Sequence, residues 1–213
     1  MKNFKGILAA VTLVFVLGGG WPAQTALAFS NGGSGSSYTV NDSPGVVIPD
    51  NNPSGVAYSI NFAASGLTVG NITVSINLSG GYNGDIYAYL SHGSQISTLL
   101  NGPSPGLSGS AMNLTFVEGT GSPIPTTSSA NLSGNYTAYT DLATFNNTAP
   151  NGNWTLFFAD LSPGDTSTLN SFSIDITAVP EPVNVALVIF GGLLAVWSAV
   201  RWRRDSASAA ASN

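Results

Sequence analysis

Through the middle of the chain, apolar and polar residues alternate with a period of two. Val56, Tyr58, Ile60 and Phe62 fall on one face, as do Ile72, Val74, Ile76 and Leu78, then Trp154, Leu156 and Phe158, then Phe172, Ile174 and Ile176. Successive side chains of a strand point to opposite sides, so each run predicts a strand with one buried face. Turn clusters separate the runs: Ser65-Gly66, Ser79-Gly80-Gly81, Asn101-Gly102-Pro103, Pro150-Asn151-Gly152 and Ser162-Pro163-Gly164-Asp165. No helical period is sustained between Ser30 and Ala178. Short strands joined by Gly/Pro/Asn turns predict an all-β, antiparallel β-sandwich over residues 38–178. Residues 29–37 read as a Gly/Ser-rich linker, and Gly119 to Ser133 as a long surface loop.

The pattern changes at both ends. Lys2 and Lys5 precede the apolar run Ile7 to Leu17 and the small-residue site Ala26-Leu27-Ala28, which predicts a secretory signal peptide over 1–28. Val183 to Val200 has no charged residue and is followed by Arg201, Arg203 and Arg204. About 18 residues at 1.5 Å rise give roughly 27 Å of helix, enough for a bilayer core. The arginines predict a cytoplasmic C-terminal side, with residues 205–213 as a cytoplasmic tail and the sandwich outside.

Charge sharpens this picture. Between Phe29 and Val179 there is no Lys or Arg, against eight acids: Asp42, Asp50, Asp85, Glu118, Asp141, Asp160, Asp165 and Asp175. Nothing there can neutralise phosphate, so nucleic acid is not an expected partner. With no cysteine in the chain, an exported domain of about 150 residues must rest on its core rather than on disulfides.

Val-Pro-Glu-Pro (179–182), a hydrophobic helix and an Arg cluster, in that order, resemble the PEP-CTERM protein-sorting signal of bacteria that make exopolysaccharide. The resemblance implies that Pro180, Glu181, Pro182, Arg201, Arg203 and Arg204 form a tag for an exosortase. That membrane enzyme would cleave near Pro-Glu-Pro and release the protein or pass it to the cell surface or extracellular matrix. Three further stretches, "GDIYAYLSHGSQISTLL" (84–100), "PNGNWTLFFAD" (150–160) and "GDTSTLNSFSIDI" (164–176), resemble the P domain, or P/Homo B domain, of subtilisin-like proprotein convertases. That resemblance implies a jelly-roll β-sandwich of the kind that follows and stabilises a protease domain. The stretch before Tyr38 leaves no room for such a protease, so an endopeptidase label from this family would describe a domain not expected here.

Candidate chemistry is sparse. His92, the single histidine, could serve a serine triad as base, but its place between two strands predicts a solvated turn residue. Asp160 and Asp165 straddle a turn at a spacing that glycosidase carboxylates could use, although aspartates capping their own turn are commoner. The same acidic surface suits calcium, held by carboxylates, amides and carbonyls. Its candidates are Asp85 beside Asn83, and the Asp160/Asp165 turn, while Asp42 and Asp50 flank another polar loop. The alternative for Asp85 is a half-buried carboxylate accepting backbone N–H groups where a strand begins. Trp154 reads as core. Tyr82, Tyr87 and Tyr89 could stack on sugar rings or fill an inner sheet face. The expectation is a non-enzymatic, exported structural or adhesive protein associated with exopolysaccharide. The alternative is a free-standing accessory domain that binds or stabilises a secreted protein such as a subtilisin-like protease.

Overall fold

The structure, a computed structural model, describes residues 27–29, 37–64, 66–180 and 182–210. The expected signal peptide and linker therefore lie outside the described residues, apart from Leu27–Phe29 and Ser37, and so does Glu181. The strands are β1 (Leu27–Phe29), β2 (Ser37–Asp42), β3 (Val46–Val47), β4 (Asn52–Phe62), β5 (Leu67–Gly80), β6 (Ile86–His92), β7 (Gln95–Asn101), β8 (Ala111–Val117), β9 (Ser122–Pro123), β10 (Leu132–Thr137), β11 (Gly152–Asp160) and β12 (Ser167–Pro180). Two short 3₁₀ turns, Asn83–Asp85 and Leu142–Phe145, interrupt them, and helix α1 (Pro182–Ala210) follows. The chain divides into two compact units after Val179.

The first unit is the expected β-sandwich. One sheet has the order β1-β4-β11-β6-β7; the other runs β2-β12-β5-β8-β10-β9, with β3 also paired to β12. The alternating runs face each other across the core, where Ile60, Leu90, Trp154, Leu156 and Phe158 of the first sheet and Val40, Val74, Leu114, Ile174 and Ile176 of the second are fully buried. Each such side chain contributes about 1.5–3 kcal/mol of burial free energy. Aromatic rings bridge the layers, Tyr58 meeting Phe172 at 4.9 Å and Phe62 meeting Tyr38 at 6.1 Å, while Trp154 packs on Phe62 of its own sheet at 6.2 Å and on Phe145 of the second 3₁₀ turn at 5.0 Å.

The antiparallel expectation needs correction at the edges. β10 runs parallel to both β8 and β9, and β1 runs parallel to β4. After β8 the chain travels back along the strand before β10 begins, so β10 sets out in the same direction as β8. The expected long loop from Gly119 to Ser133 thus contains β9 and the start of β10. β1 likewise places Leu27–Phe29, at the expected signal-peptide boundary, in the first sheet.

In the second unit, Ala186–Arg203 is an 18-residue window of α1 with mean hydropathy 1.4, long and apolar enough to cross a membrane. The helix does not stop at Val200 but continues through the arginines to Ala210. Ser198, a polar interruption, returns its hydroxyl to the Ala195 carbonyl at 2.9 Å. The Arg201 guanidinium lies 5.4 Å from the Trp197 ring centroid, a cation–π contact at the charged end of the apolar run.

Candidate functional site

The acidic candidates gather at one end of the sandwich, with one substitution among them. Asp160 ends β11 where the register with β4 slips. It is fully buried, and its Oδ1 accepts the Ser162 N–H at 3.3 Å while Oδ2 has no partner. Asp85, half-buried at the end of the Asn83–Asp85 turn, accepts the Leu161 N–H on its carbonyl at 2.9 Å, and Ser162 hydrogen-bonds its carboxylate. Asp50 joins them from the turn before β4: both its oxygens accept the Gly164 N–H at 3.2 Å. Burial first, then neighbouring carboxylates, pushes the Asp85 and Asp160 carboxyls above the ordinary range. Asp165 is exposed beside them. Asn83 is buried and turned elsewhere, donating its amide to the Ala111 carbonyl at 3.1 Å. Among the described residues, no three His, Cys, Asp or Glu side chains converge as a ready metal site.

Asp42, by contrast, caps its own turn through the Ser43 N–H. Glu118 accepts the Ile72 N–H at 2.8 Å and the Asn146 amide at 2.9 Å, and Asp141 caps the Leu142–Phe145 turn. These acids are bonded within the fold, as turn and capping carboxylates are expected to be.

His92 is not the solvated turn residue its sequence context predicts. It closes β6 opposite Trp154 and Gln95, with its ring stacked on Trp154 at 4.2 Å and 4° between planes. Nδ1 lies 2.9 Å from the Asn153 carbonyl and Nε2 2.8 Å from the Ala149 carbonyl. Both nitrogens are thus committed to backbone, which leaves no basic lone pair aimed at a serine. Trp154 is core, as expected, and its indole N–H donates to the Pro150 carbonyl at 2.9 Å.

The tyrosines also resolve. Tyr87 and Tyr89 stand half-buried on the outer face of β6, opposite Ile86, Ala88 and Leu90. Tyr89 stacks on Phe157, its direct cross-strand neighbour, at 4.8 Å and 20°, and Tyr87 leans on Tyr89 at 6.0 Å. Ring faces engaged this way support the sheet rather than present a free platform. Tyr82 donates its hydroxyl to the Pro105 carbonyl at 2.8 Å.

That last bond leads to a cleft that no single sequence motif announces. It lies along β7, the edge of the first sheet, and encloses about 610 Å³. Leu99 and Leu100 back it, the 103–106 and 123–127 segments wall it, and Tyr139 stands at its rim, 70% exposed. Hydrogen bonds fix these walls in place. Ser108 donates to the Ser128 carbonyl and Ser128 to the Gly106 carbonyl, both at 2.8 Å, clasping the two loops. Tyr139 and Thr140 donate to the Leu99 and Thr98 carbonyls at 3.3 and 2.9 Å, covering part of the edge strand. Gly84, the first residue of the Gly-Asp pair, supports the floor: a Cβ there would run into the Ser104 carbonyl, whose own N–H donates to Gly84. Apolar side chains dominate the lining, with Asn101, Ser104, Thr126, Thr127 and Thr137 as its polar points, and none of the lining residues is charged. A preformed apolar cleft with a few polar groups has the size and make-up of a ligand site. The only signal in the sequence was indirect: Pro103, Pro105, Pro123 and Pro125 stiffen two stretches that meet only in the fold.

No family model matches the chain, and no curated protein matches it in sequence. Among solved structures, a chain from the complex of an Aeromonas sobria serine protease with its chaperone aligns over 68% of this chain, with 14% identity and a TM-score of 0.42. The alignment covers 26% of that longer chain.

Proposed function

We propose that this is an exported, non-catalytic adhesive protein that holds an uncharged stretch of extracellular polysaccharide in the Tyr139 cleft. The observation that carries the reading is the cleft itself, preformed, uncharged and rimmed by one exposed aromatic ring. A tyrosine face takes the apolar face of a sugar ring, and the amide and hydroxyl side chains beside it pair with sugar hydroxyls. The absence of Lys and Arg from residues 29–179 favours a neutral polymer, because no cation is present to pair with uronate or sulfate. The tail fits the same setting. Pro180, Glu181 and Pro182, α1 and the arginines at 201, 203 and 204 serve in this reading as a sorting tag that an exosortase recognises, delivering the sandwich to the cell surface or matrix.

The test is co-sedimentation of the full chain, in mild detergent, with exopolysaccharide from the producing cells. The reading expects retention of the wild type and at least about tenfold weaker retention of Tyr139→Ser, a loss of roughly 1.4 kcal/mol. Equal retention of both, or none of either, would reject it. The stretches resembling the P domain support a second reading, an accessory domain docked on a secreted protease. Cross-linking in culture medium that recovers one stoichiometric protein partner, with no polymer bound, would replace the first reading with the second.

A further inference from the structure

The acidic end of the sandwich poses a problem of its own. Asp160 is fully buried and one of its oxygens, Oδ2, has no hydrogen-bond partner among the described residues. A buried acceptor left without a partner is costly, and more so when it belongs to a charged group. Residues 29–179 hold no Lys or Arg with which to pair it. The surroundings compound the cost, since Asp85, Asp50 and Asp165 all add negative potential at Asp160. Nevertheless the backbone is arranged to keep this carboxylate in place. The segment after β11 folds back over it, donating from Leu161 to the Asp85 carbonyl, from Ser162 to Asp160 Oδ1 and from Gly164 to Asp50. Three separate parts of the chain, the turn before β4, the Asn83–Asp85 turn and the β11–β12 connection, are drawn together around a buried carboxyl with an unpartnered oxygen.

We propose that this end of the sandwich binds one calcium ion, with Asp160 Oδ2 and the Asp85 carboxylate as its anionic ligands and Asp50 adding charge from the outer side. Two carboxylates alone do not make a calcium shell, and the remaining oxygens come from backbone carbonyls of the turn and from water, an ordinary composition for this hard, flexible cation. Magnesium, which requires a near-octahedral shell and keeps its waters, suits a buried monodentate oxygen less well. The ligand set differs from the one the sequence indicates. Asn83 is left out of the set, its side chain being buried and tied to β8 through the Ala111 carbonyl, Asp165 stays peripheral, and Asp50 enters through Gly164. The ion would fasten the β11–β12 connection to the Asn83–Asp85 turn.

Equilibrium dialysis of the full chain in detergent against ⁴⁵Ca²⁺, together with thermal unfolding in EDTA, calcium or magnesium, tests the site. The expected result is about one calcium per chain, with affinity in the range of extracellular modules. Ten millimolar calcium then raises the unfolding temperature by roughly 3–10 °C, and magnesium by clearly less. Asp160→Asn abolishes both binding and shift. Asp85→Asn, kept as a second variant in case the first folds poorly, weakens both at least about tenfold, and Asp42→Asn leaves them unchanged. No saturable binding by the wild type, or the same binding and shift in Asp160→Asn and Asp85→Asn as in Asp42→Asn, would overturn the assignment. So would equal stabilisation by magnesium.

Discussion

His92 gives the sharpest prediction of the packing described above. A solvated turn histidine can be replaced by alanine at a cost within about 0.5 kcal/mol. In the structure its ring stacks on Trp154 at 4.2 Å and bridges the Asn153 and Ala149 carbonyls at 2.9 and 2.8 Å. The stack is worth about 0.5–1.5 kcal/mol. A neutral imidazole donates through one nitrogen at a time, so one hydrogen bond of about 1 kcal/mol is counted rather than two. Loss of the ring also uncovers one face of the indole, adding about 0.5–1 kcal/mol at the apolar burial coefficient. The site is half-buried, and water can reach the freed carbonyls, which places the expected cost of His92→Ala at about 2 kcal/mol. That corresponds to roughly 4–8 °C in unfolding temperature for a domain of this size. Urea unfolding followed by far-UV circular dichroism measures it. A double-mutant cycle with Trp154→Phe should return a coupling of at least about 0.5 kcal/mol, because the two rings touch. A cost for His92→Ala within about 0.5 kcal/mol and no coupling would show that the stack and the carbonyl bridge do not hold the ring.

Other outcomes follow from the same geometry. Asp85 and Asp160 have folded-state values raised by burial and by their neighbours. Their protonated forms are therefore favoured in the fold, and their contribution is fully present below the unfolded carboxylate range, about 4, and lost as pH rises through the raised values. In EDTA, the wild type should lose stability as pH rises from about 4 toward neutrality, with a flatter profile for Asp160→Asn in thermal melts. Gly55→Ala should cost about 1–3 kcal/mol in urea unfolding: φ is +49° there, and an added Cβ would overlap the Phe158 carbonyl oxygen and stand 2.8 Å from the Phe157 ring. For the tail, intact mass of protein recovered from envelope and medium should end near Pro180 to Pro182 in the wild type, while Glu181→Ala should stay full-length in the membrane. A wild-type mass that runs to Asn213 would make α1 a permanent anchor.

The half-buried strands were legible because their burial is written locally. Each alternating set named from β4, β5, β11 and β12 lies in the core, since a strand with one wet face must alternate. β10 was not legible: Ser133, Gly134 and Asn135 are exposed, and the strand is held by a parallel partner whose location no local pattern encodes. His92 failed for a related reason, as both carbonyls that hold it come from residues about sixty positions away. Of the acidic site, Asp85 and Asp160 were identifiable as carboxylates at strand ends. Asp50 was assigned to a separate polar loop with Asp42, and its place beside them was not legible, because its link to Gly164 spans 114 residues. The cleft was invisible as a unit: its walls come from segments near 103, 125 and 138, each unremarkable alone.

In the proposed function the Tyr139 cleft, not the stacked tyrosines of β6, receives the glycan. Titration of isotope-labelled protein with oligosaccharides cut from the producing cells' own polymer, followed by aromatic ring and backbone NMR shifts, addresses it directly. Saturable shifts are expected at Tyr139 and along 103–106 and 123–127, with Tyr87, Tyr89 and Phe157 unmoved. Shifts confined to Tyr87, Tyr89 and Phe157, or none at saturating oligosaccharide, would contradict it.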